Sequence, residues 1–212
     1  GEGDAAREVE HAYARARELC AQLGDTPQLF PVLRGVMLYY QTRGQLQTAT
    51  QLGAQLLRLA HAQPDPAPLL LAHYALGNVL FLRGEPAAAR THHTQALALY
   101  EPQAHRALAV RFGGDLGVGA GSLLARELWY LGYPAQALQH SQAACTVAQE
   151  VAHPYSLVLA LVYAATVHQY RREVRAAHAQ AAAAMTLATE QGFFVERVAR
   201  GTVLHGWALA MQ

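Results

Sequence analysis

The chain has 212 residues, with 16 basic side chains against 15 acidic ones and a formal charge of +1 when histidine is neutral. Ala (43) and Leu (31) dominate, while Ile and Lys do not occur at all, a composition that favours helix. All the positive charges are therefore Arg, scattered among acids, so no basic stripe offers counterion release and nucleic acid is not expected as a partner.

The absence of Lys also removes P-loop and Schiff-base chemistry, leaving Ser122, Ser141, Ser156, Cys20 and Cys145 as the ordinary nucleophile candidates. No catalytic residue, cofactor or enzymatic activity is expected. Two cysteines so far apart make no disulfide framework and read as small hydrophobes in a reducing compartment, the cytoplasm. The apolar run from Leu157 to Val167 is too short to span a bilayer, and Gly1-Glu2-Gly3-Asp4 lacks the features of a secretory signal.

Apolar periodicity divides the chain into helix-length stretches separated by two kinds of break. In chain order, 5–23 reads as one helix with no partner before it. A hairpin unit follows at 27–62, another at 66–101, a connecting segment at 102–114, further units at 115–152 and 154–191, and at 193–212 the first helix of an incomplete unit. The tight breaks are Arg43-Gly44-Gln45, Arg83-Gly84-Glu85, Leu131-Gly132-Tyr133 and Arg171-Arg172-Glu173; the longer ones carry Pro27, Pro64 and Pro66, and Pro154. Gly suits the left-handed position that ends a helix, and Pro the first turn of the next.

The tight breaks recur at spacings of 40, 48 and 40 residues, the mark of stacked units. Five positions after each comes an alanine: Ala49, Ala89, Ala137 and Ala177. Seven before each stand Met37, Gly77, Ala125 and Ala165, three of them small. Antiparallel helices approach closely only where facing side chains are small, so these positions mark the crossings.

Leu76-Gly77-Asn78, Leu80, Gly84-Glu85, Ala89, Ala96-Leu97, Leu99-Tyr100 and Pro102 resemble a complete tetratricopeptide (TPR) repeat. With its long period, and with wording such as Ala14-Arg15-Ala16-Arg17-Glu18-Leu19-Cys20 and Gln169-Tyr170-Arg171-Arg172-Glu173, the chain is similar to the TPR region of bacterial signalling proteins that join a STAND-type ATPase to an adenylate or guanylate cyclase or a kinase. The resemblance implies an all-α fold: a right-handed α-solenoid of antiparallel hairpins, roughly ten helices in repeats of ~40 residues. It also implies a non-catalytic regulatory module that binds a protein or peptide, or neighbouring domains of its own parent chain, through a concave groove. The alternative is a sensor that closes the same groove on a metabolite. An intact solenoid ends in polar caps, whereas this sequence starts and stops inside units. A piece of a longer polypeptide is expected, with apolar surface at its ends and a tendency to self-associate.

Carrying the family's groove positions over from the tight breaks gives Arg34, Leu38 and Gln41 in the first unit, and Tyr74, Asn78 and Phe81 in the second. The third gives Ser122, Arg126, Trp129 and Tyr130, and the fourth Val162, Thr166, Gln169 and Tyr170. Asn78 stands where the family's peptide-carboxylate clamps keep an Asn, without their accompanying Lys. Tyr, Trp and Arg gain most per residue when a partner desolvates them; packing against the next helix is the competing role of Phe81, Trp129 and Tyr130.

Two further features invite chemistry. The five glycines of the segment 111–121 suggest a phosphate cradle, but no Lys or preceding strand accompanies them, and an extended inter-repeat loop is the expectation. Of the eleven histidines, no two stand three or four apart, and His92 and His93 point about 100° apart on a helix, so no metal site is expected. His168 reads as a satisfied interior histidine and His153 as a turn residue. Glu85, Glu101 and Glu173 sit at helix starts, where negative charge is favourable.

Overall fold

The computed structural model describes residues 11–16, 18–19, 22, 29–193 and 195–211, without the side chains of 106 and 195–198. Cys20 and much of the expected helix at 5–23 lie outside the described residues. Among the described residues every regular element is a helix: α1 (Phe30–Thr42), α2 (Leu46–His61), α3 (Pro66–Leu82), α4 (Pro86–Leu99), α5 (Pro102–Phe112), α6 (Leu116–Tyr130), α7 (Pro134–Val151), α8 (Pro154–Tyr170), α9 (Val174–Glu190) and α10 (Val195–Ala210). Ahead of them, residues 11–16 and 18–19 are helical, and Tyr13 stacks on Tyr39 of α1 with ring centroids 4.5 Å apart.

The helices pair as antiparallel hairpins, α1 with α2, α3 with α4, α6 with α7 and α8 with α9, and each hairpin lies against the next. α1, α3, α6, α8 and α10 pack side by side as an inner row, α1 on α3, α3 on α6, α6 on α8 and α8 on α10. The apolar interior is accordingly a string of clusters along the stack rather than one centre, running from Leu29 through Leu124 and Val158 to Leu204. That is the arrangement of a solenoid, in which each unit buries its hydrophobic face on its neighbours.

Local geometry explains the repeat. At each of the four tight breaks the first helix ends in a left-handed residue: Gly44 (φ 73°), Gly84 (φ 82°), Gly132 (φ 84°) and Arg172 (φ 57°). The next amide then reaches back to close the helix end, as in Gln45 N–H to Tyr40 O (2.9 Å) and Tyr133 N–H to Leu128 O (2.8 Å). These reverse bonds satisfy carbonyls that would otherwise be orphaned. Arg172 holds the same conformation and the same bonds as the glycines, Glu173 N–H reaching His168 O at 2.9 Å. Ala49, Ala89, Ala137 and Ala177 are all fully buried. In the first unit the large Met37 is accommodated because Gly53 faces it: a Cβ there would lie 3.0 Å from the Met37 methyl.

The expected extended loop is not found. Residues 102–112 form α5, and α6 begins at Leu116, so Gly117, Gly119 and Gly121 lie inside a helix. Their role is steric. A Cβ on Gly117 would meet the Tyr100 ring at 2.4 Å, and one on Gly119 the Tyr74 ring at 2.9 Å. The glycines are sockets for two tyrosines from the preceding unit, and this fit repays the low helix propensity of Gly. The start of α6 is pinned by polar bonds. Asp115 Oδ1 accepts the Val118 N–H (2.9 Å), Oδ2 accepts the Tyr100 O–H (2.8 Å), and the Asp115 N–H donates to Ser156 Oγ (2.8 Å).

Candidate partner-binding groove

Apart from α10, which carries Glu196, Arg197 and Arg200, the inner row has almost no fixed charge. Across α1, α3, α6 and α8 the Asp, Glu, Lys and Arg side chains are only Arg34, Arg126 and Glu127, and Glu127 is fully buried. The face is thus apolar and aromatic with an excess of guanidinium, a composition suited to desolvation by a partner.

Just before the tight turns, the C-terminal ends of α3, α6 and α8 bring five of the expected groove residues together: Phe81, Arg126, Trp129, Tyr130 and Tyr170. The Arg126 guanidinium lies 3.9 Å from the centre of the Phe81 ring and 5.2 Å from that of Tyr163. Phe81 meets Tyr130 edge to face at 5.5 Å, Trp129 stacks on Tyr170 at 5.6 Å, and the Tyr130 and Tyr170 hydroxyls are 3.3 Å apart. From α10, Arg200 approaches the Tyr163 ring at 5.6 Å. Rings and guanidinium groups at such distances attract through the ring quadrupole. The Arg126 Nε is buried and has no hydrogen-bond partner. Burial and the Tyr130 contact push the Tyr170 hydroxyl up to about 12, so it stays neutral. Tyr130 remains 59% exposed, which leaves its ring available to a partner.

The other candidates divide. Gln41, Asn78 and Gln169 are half-buried along the same row. Tyr74 is turned toward Gly119 and the His93 ring, 6.0 Å away. Arg34 stands apart, at the N-terminal end of the inner row in a small cavity. Of the residues read from the register alone, Leu38 is 44% exposed, whereas Ser122 and Val162 are fully buried and contribute no surface. Two participants were missed. Tyr163 lies two helical turns before Tyr170, so the spacing of 7 marks it as sharing that face. Arg200 lies on α10, after the last of the four tight breaks, so no register fixes it.

The histidines satisfy one another and the core. His92 and His93 diverge as their spacing requires. His92 Nδ1 faces His73 Nδ1 at 2.9 Å, and burial with the neighbouring His92 and His61 draws His73 down to about 4. His93 is wholly buried, its Nδ1 2.6 Å from Glu127 Oε1 and its Nε2 3.3 Å from the Tyr74 carbonyl. A carbonyl only accepts, so Nε2 carries a proton, and Nδ1 shares a second one with Glu127. His168 is bonded to Glu173 at 2.6 Å, and His153 caps α8 by accepting the Ser156 N–H. Glu85, Glu101 and Glu173 occupy N-cap positions without a side-chain capping bond. Burial pushes the Cys145 thiol up to about 11, which keeps it protonated and inert. Among the described residues no three His, Cys, Asp or Glu side chains come together as a metal site, and no helix is long and apolar enough to cross a membrane.

No protein-family model matches the sequence, and no curated protein matches it. Among solved structures the chain is similar to BtubC (BKLC) from P. vanneervenii, with a TM-score of 0.69 at 14% identity over 97% of this chain and 82% of that one. It is also similar to the apo form of RapI, with a TM-score of 0.67 at 13% identity over 95% of this chain and 54% of that one. A third likeness is to the nearly identical TPR-like repeats of a kinesin light chain-type protein from Podosopora anserina, with a TM-score of 0.63 at 14% identity over 87% of each chain. The fold is that of a TPR-like helical-repeat solenoid.

Proposed function

We propose that this chain is a non-catalytic interaction module that holds a protein or peptide partner against the inner row of helices. The observation that carries the reading is the Arg126 guanidinium, placed between the Phe81 and Tyr163 rings with its Nε unsatisfied, beside the exposed Tyr130. A preassembled set of aromatic and Arg anchors is the composition of an interface hot spot. Arg34, Gln41, Tyr74, Asn78 and Gln169 complete the proposed groove.

The setting suggested by the sequence resemblance is a larger bacterial signalling protein of the cytoplasm, with a STAND-type ATPase and a cyclase or kinase. There the partner is a separate protein or the parent chain's own effector domains. The α10 surface adds a route to self-association, since Val203 (69%), Leu209 (52%) and Met211 (50%) are exposed. A metabolite sensor acting through the same groove is the second reading; the cavities beside the inner row favour it.

The test places a photoreactive amino acid at position 130 and identifies what is crosslinked, then measures binding of that partner to Arg126→Ala and Trp129→Ala. A loss of tenfold or more in each variant, with melting close to the parent, is expected. Full binding by both variants overturns the groove assignment. A saturable melting increase of several degrees by one metabolite, blocked by the same substitutions, favours the sensor.

A further inference from the structure

α5 interrupts the hairpin series between α4 and α6, and it lies only lightly on α6. Two cavities adjoin it, at the end of the inner row opposite the aromatic cluster. The smaller, about 100 Å³, is walled by Arg34, Leu71, Phe112, Asp115, Tyr155 and Leu159. The larger, about 240 Å³, shares Leu71 and Phe112 with it and adds Phe30, Pro31 and Leu108. Both therefore exist because α5 interrupts the repeat and brings Phe112 against the first two units.

Arg34 makes the smaller cavity chemically distinct. Its Nε is buried and has no hydrogen-bond partner, and no carboxylate among the described residues pairs with it. Burial holds the guanidinium below its ordinary value, with Tyr74 opposing that trend. The residue as a whole is half-buried, and a cation partly withdrawn from water without a counter-charge is costly unless something supplies the missing anion. Asp115, the one acidic residue on the wall, is committed elsewhere: Oδ1 holds the Val118 N–H and Oδ2 the Tyr100 O–H.

We propose that the cavity at Arg34 binds a short-chain monocarboxylate, its carboxylate on the guanidinium and its hydrocarbon tail against Leu71, Phe112 and Leu159. Guanidinium and carboxylate match in charge and in fork geometry. The apolar walls suit a few methylene groups and disfavour a strongly hydrated dianion such as phosphate. Arg34 also belongs to the proposed groove, so the inference extends that reading; its test reads Arg34 alone, whereas the partner assignment is tested at Arg126, Trp129 and Tyr130, and the two can fail separately.

The experiment titrates the whole chain with sodium acetate, propionate and butyrate, with chloride and inorganic phosphate at equal ionic strength as comparison arms. Melting temperature and the Arg34 Nε–H resonance are followed together. At least one carboxylate is expected to raise melting saturably by several degrees and to shift that resonance over the same concentration range. Chloride and phosphate should do neither. Arg34→Met should abolish the response by removing the charge, and Leu159→Trp by filling the cavity while leaving Arg34 in place. An Arg34 resonance that responds to no carboxylate up to tens of millimolar overturns the site. So does an undiminished melting response in Arg34→Met, or a phosphate response equal to that of the carboxylates. Because the resonance is read on the unmodified chain, poor folding of either variant leaves the proposal open to refutation.

Discussion

Arg172 occupies a conformation that its three counterparts reach with Gly. A non-glycine residue in the left-handed region costs about 1 kcal/mol or more, and the Arg172 side chain is exposed. Its neighbours hold the turn in place. Arg171 Nε donates to Glu173 Oε1 at 2.8 Å, Arg171 also reaches the Pro134 carbonyl at 3.2 Å on the preceding hairpin, and Glu173 binds His168. Arg172→Gly should therefore stabilise the protein by about 0.5–1 kcal/mol, the relief of strain exceeding the added freedom of the unfolded chain. Chemical denaturation would show the gain as a higher midpoint; a midpoint at or below the parent's contradicts it. The sequence marks position 172 as a turn by its spacing of 40 from Gly132. What it withholds is the bond from Arg171 to the Pro134 carbonyl, since this joins residues of two hairpins.

Among the elements, α6 has the strongest dependence on its surroundings. Isolated, a stretch with Gly117, Gly119 and Gly121 is a poor helix former, which is why residue-by-residue reading makes it a loop. In the stack each of the first two glycines receives a tyrosine ring, and Tyr100 is held by its bond to Asp115, so its ring cannot swing aside. Gly117→Ala should then lower stability by about 1–3 kcal/mol through overpacking, despite the better intrinsic propensity of Ala. Gly206 in α10 is the internal control, with nothing within 4 Å of a Cβ. There the same change should stabilise by about 0.5–1 kcal/mol. Thermal melts that rank the two variants in the opposite order would show that the tyrosine sockets do not carry the packing assigned to them.

Across the whole molecule the His93–Glu127 pair ties the second hairpin to the third past the inserted α5, with the His93 ring seated on Gly77 of α3. Burial pushes Glu127 above the usual carboxylate range, while the bond from His93 pulls it back. In His93→Ala that restraint is lost and the folded-state value rises further. The variant is then most stable below the ordinary carboxylate pKa and loses stability as pH rises from there toward the folded-state value. At neutral pH the cost should be about 3–5 kcal/mol, with much of it recovered near about pH 4. Stability in a solenoid is passed between neighbouring units, so unfolding followed by circular dichroism should also broaden or split into two steps. A single sharp transition with an unaltered pH profile would show that the pair does not couple the two halves.

Several features were legible in the sequence because they are local or periodic. The helices follow from apolar spacing, the turns from residues that tolerate a left-handed backbone, and the tightest crossings from alanines repeated at fixed distance. The cluster of Phe81, Arg126, Trp129, Tyr130 and Tyr170 follows from the same register, since equal steps along the repeat place equal positions in one row. Tertiary structure alone decided the rest: the helical state of 116–121, the pairing of His93 with Glu127 34 residues away, the isolation of Arg34 in its cavity, and the approach of Arg200 to Tyr163. Each depends on side chains from different hairpins occupying one volume. A repeat fixes where units recur along the chain, but which neighbour fills a glycine's empty space is settled only when the units are stacked.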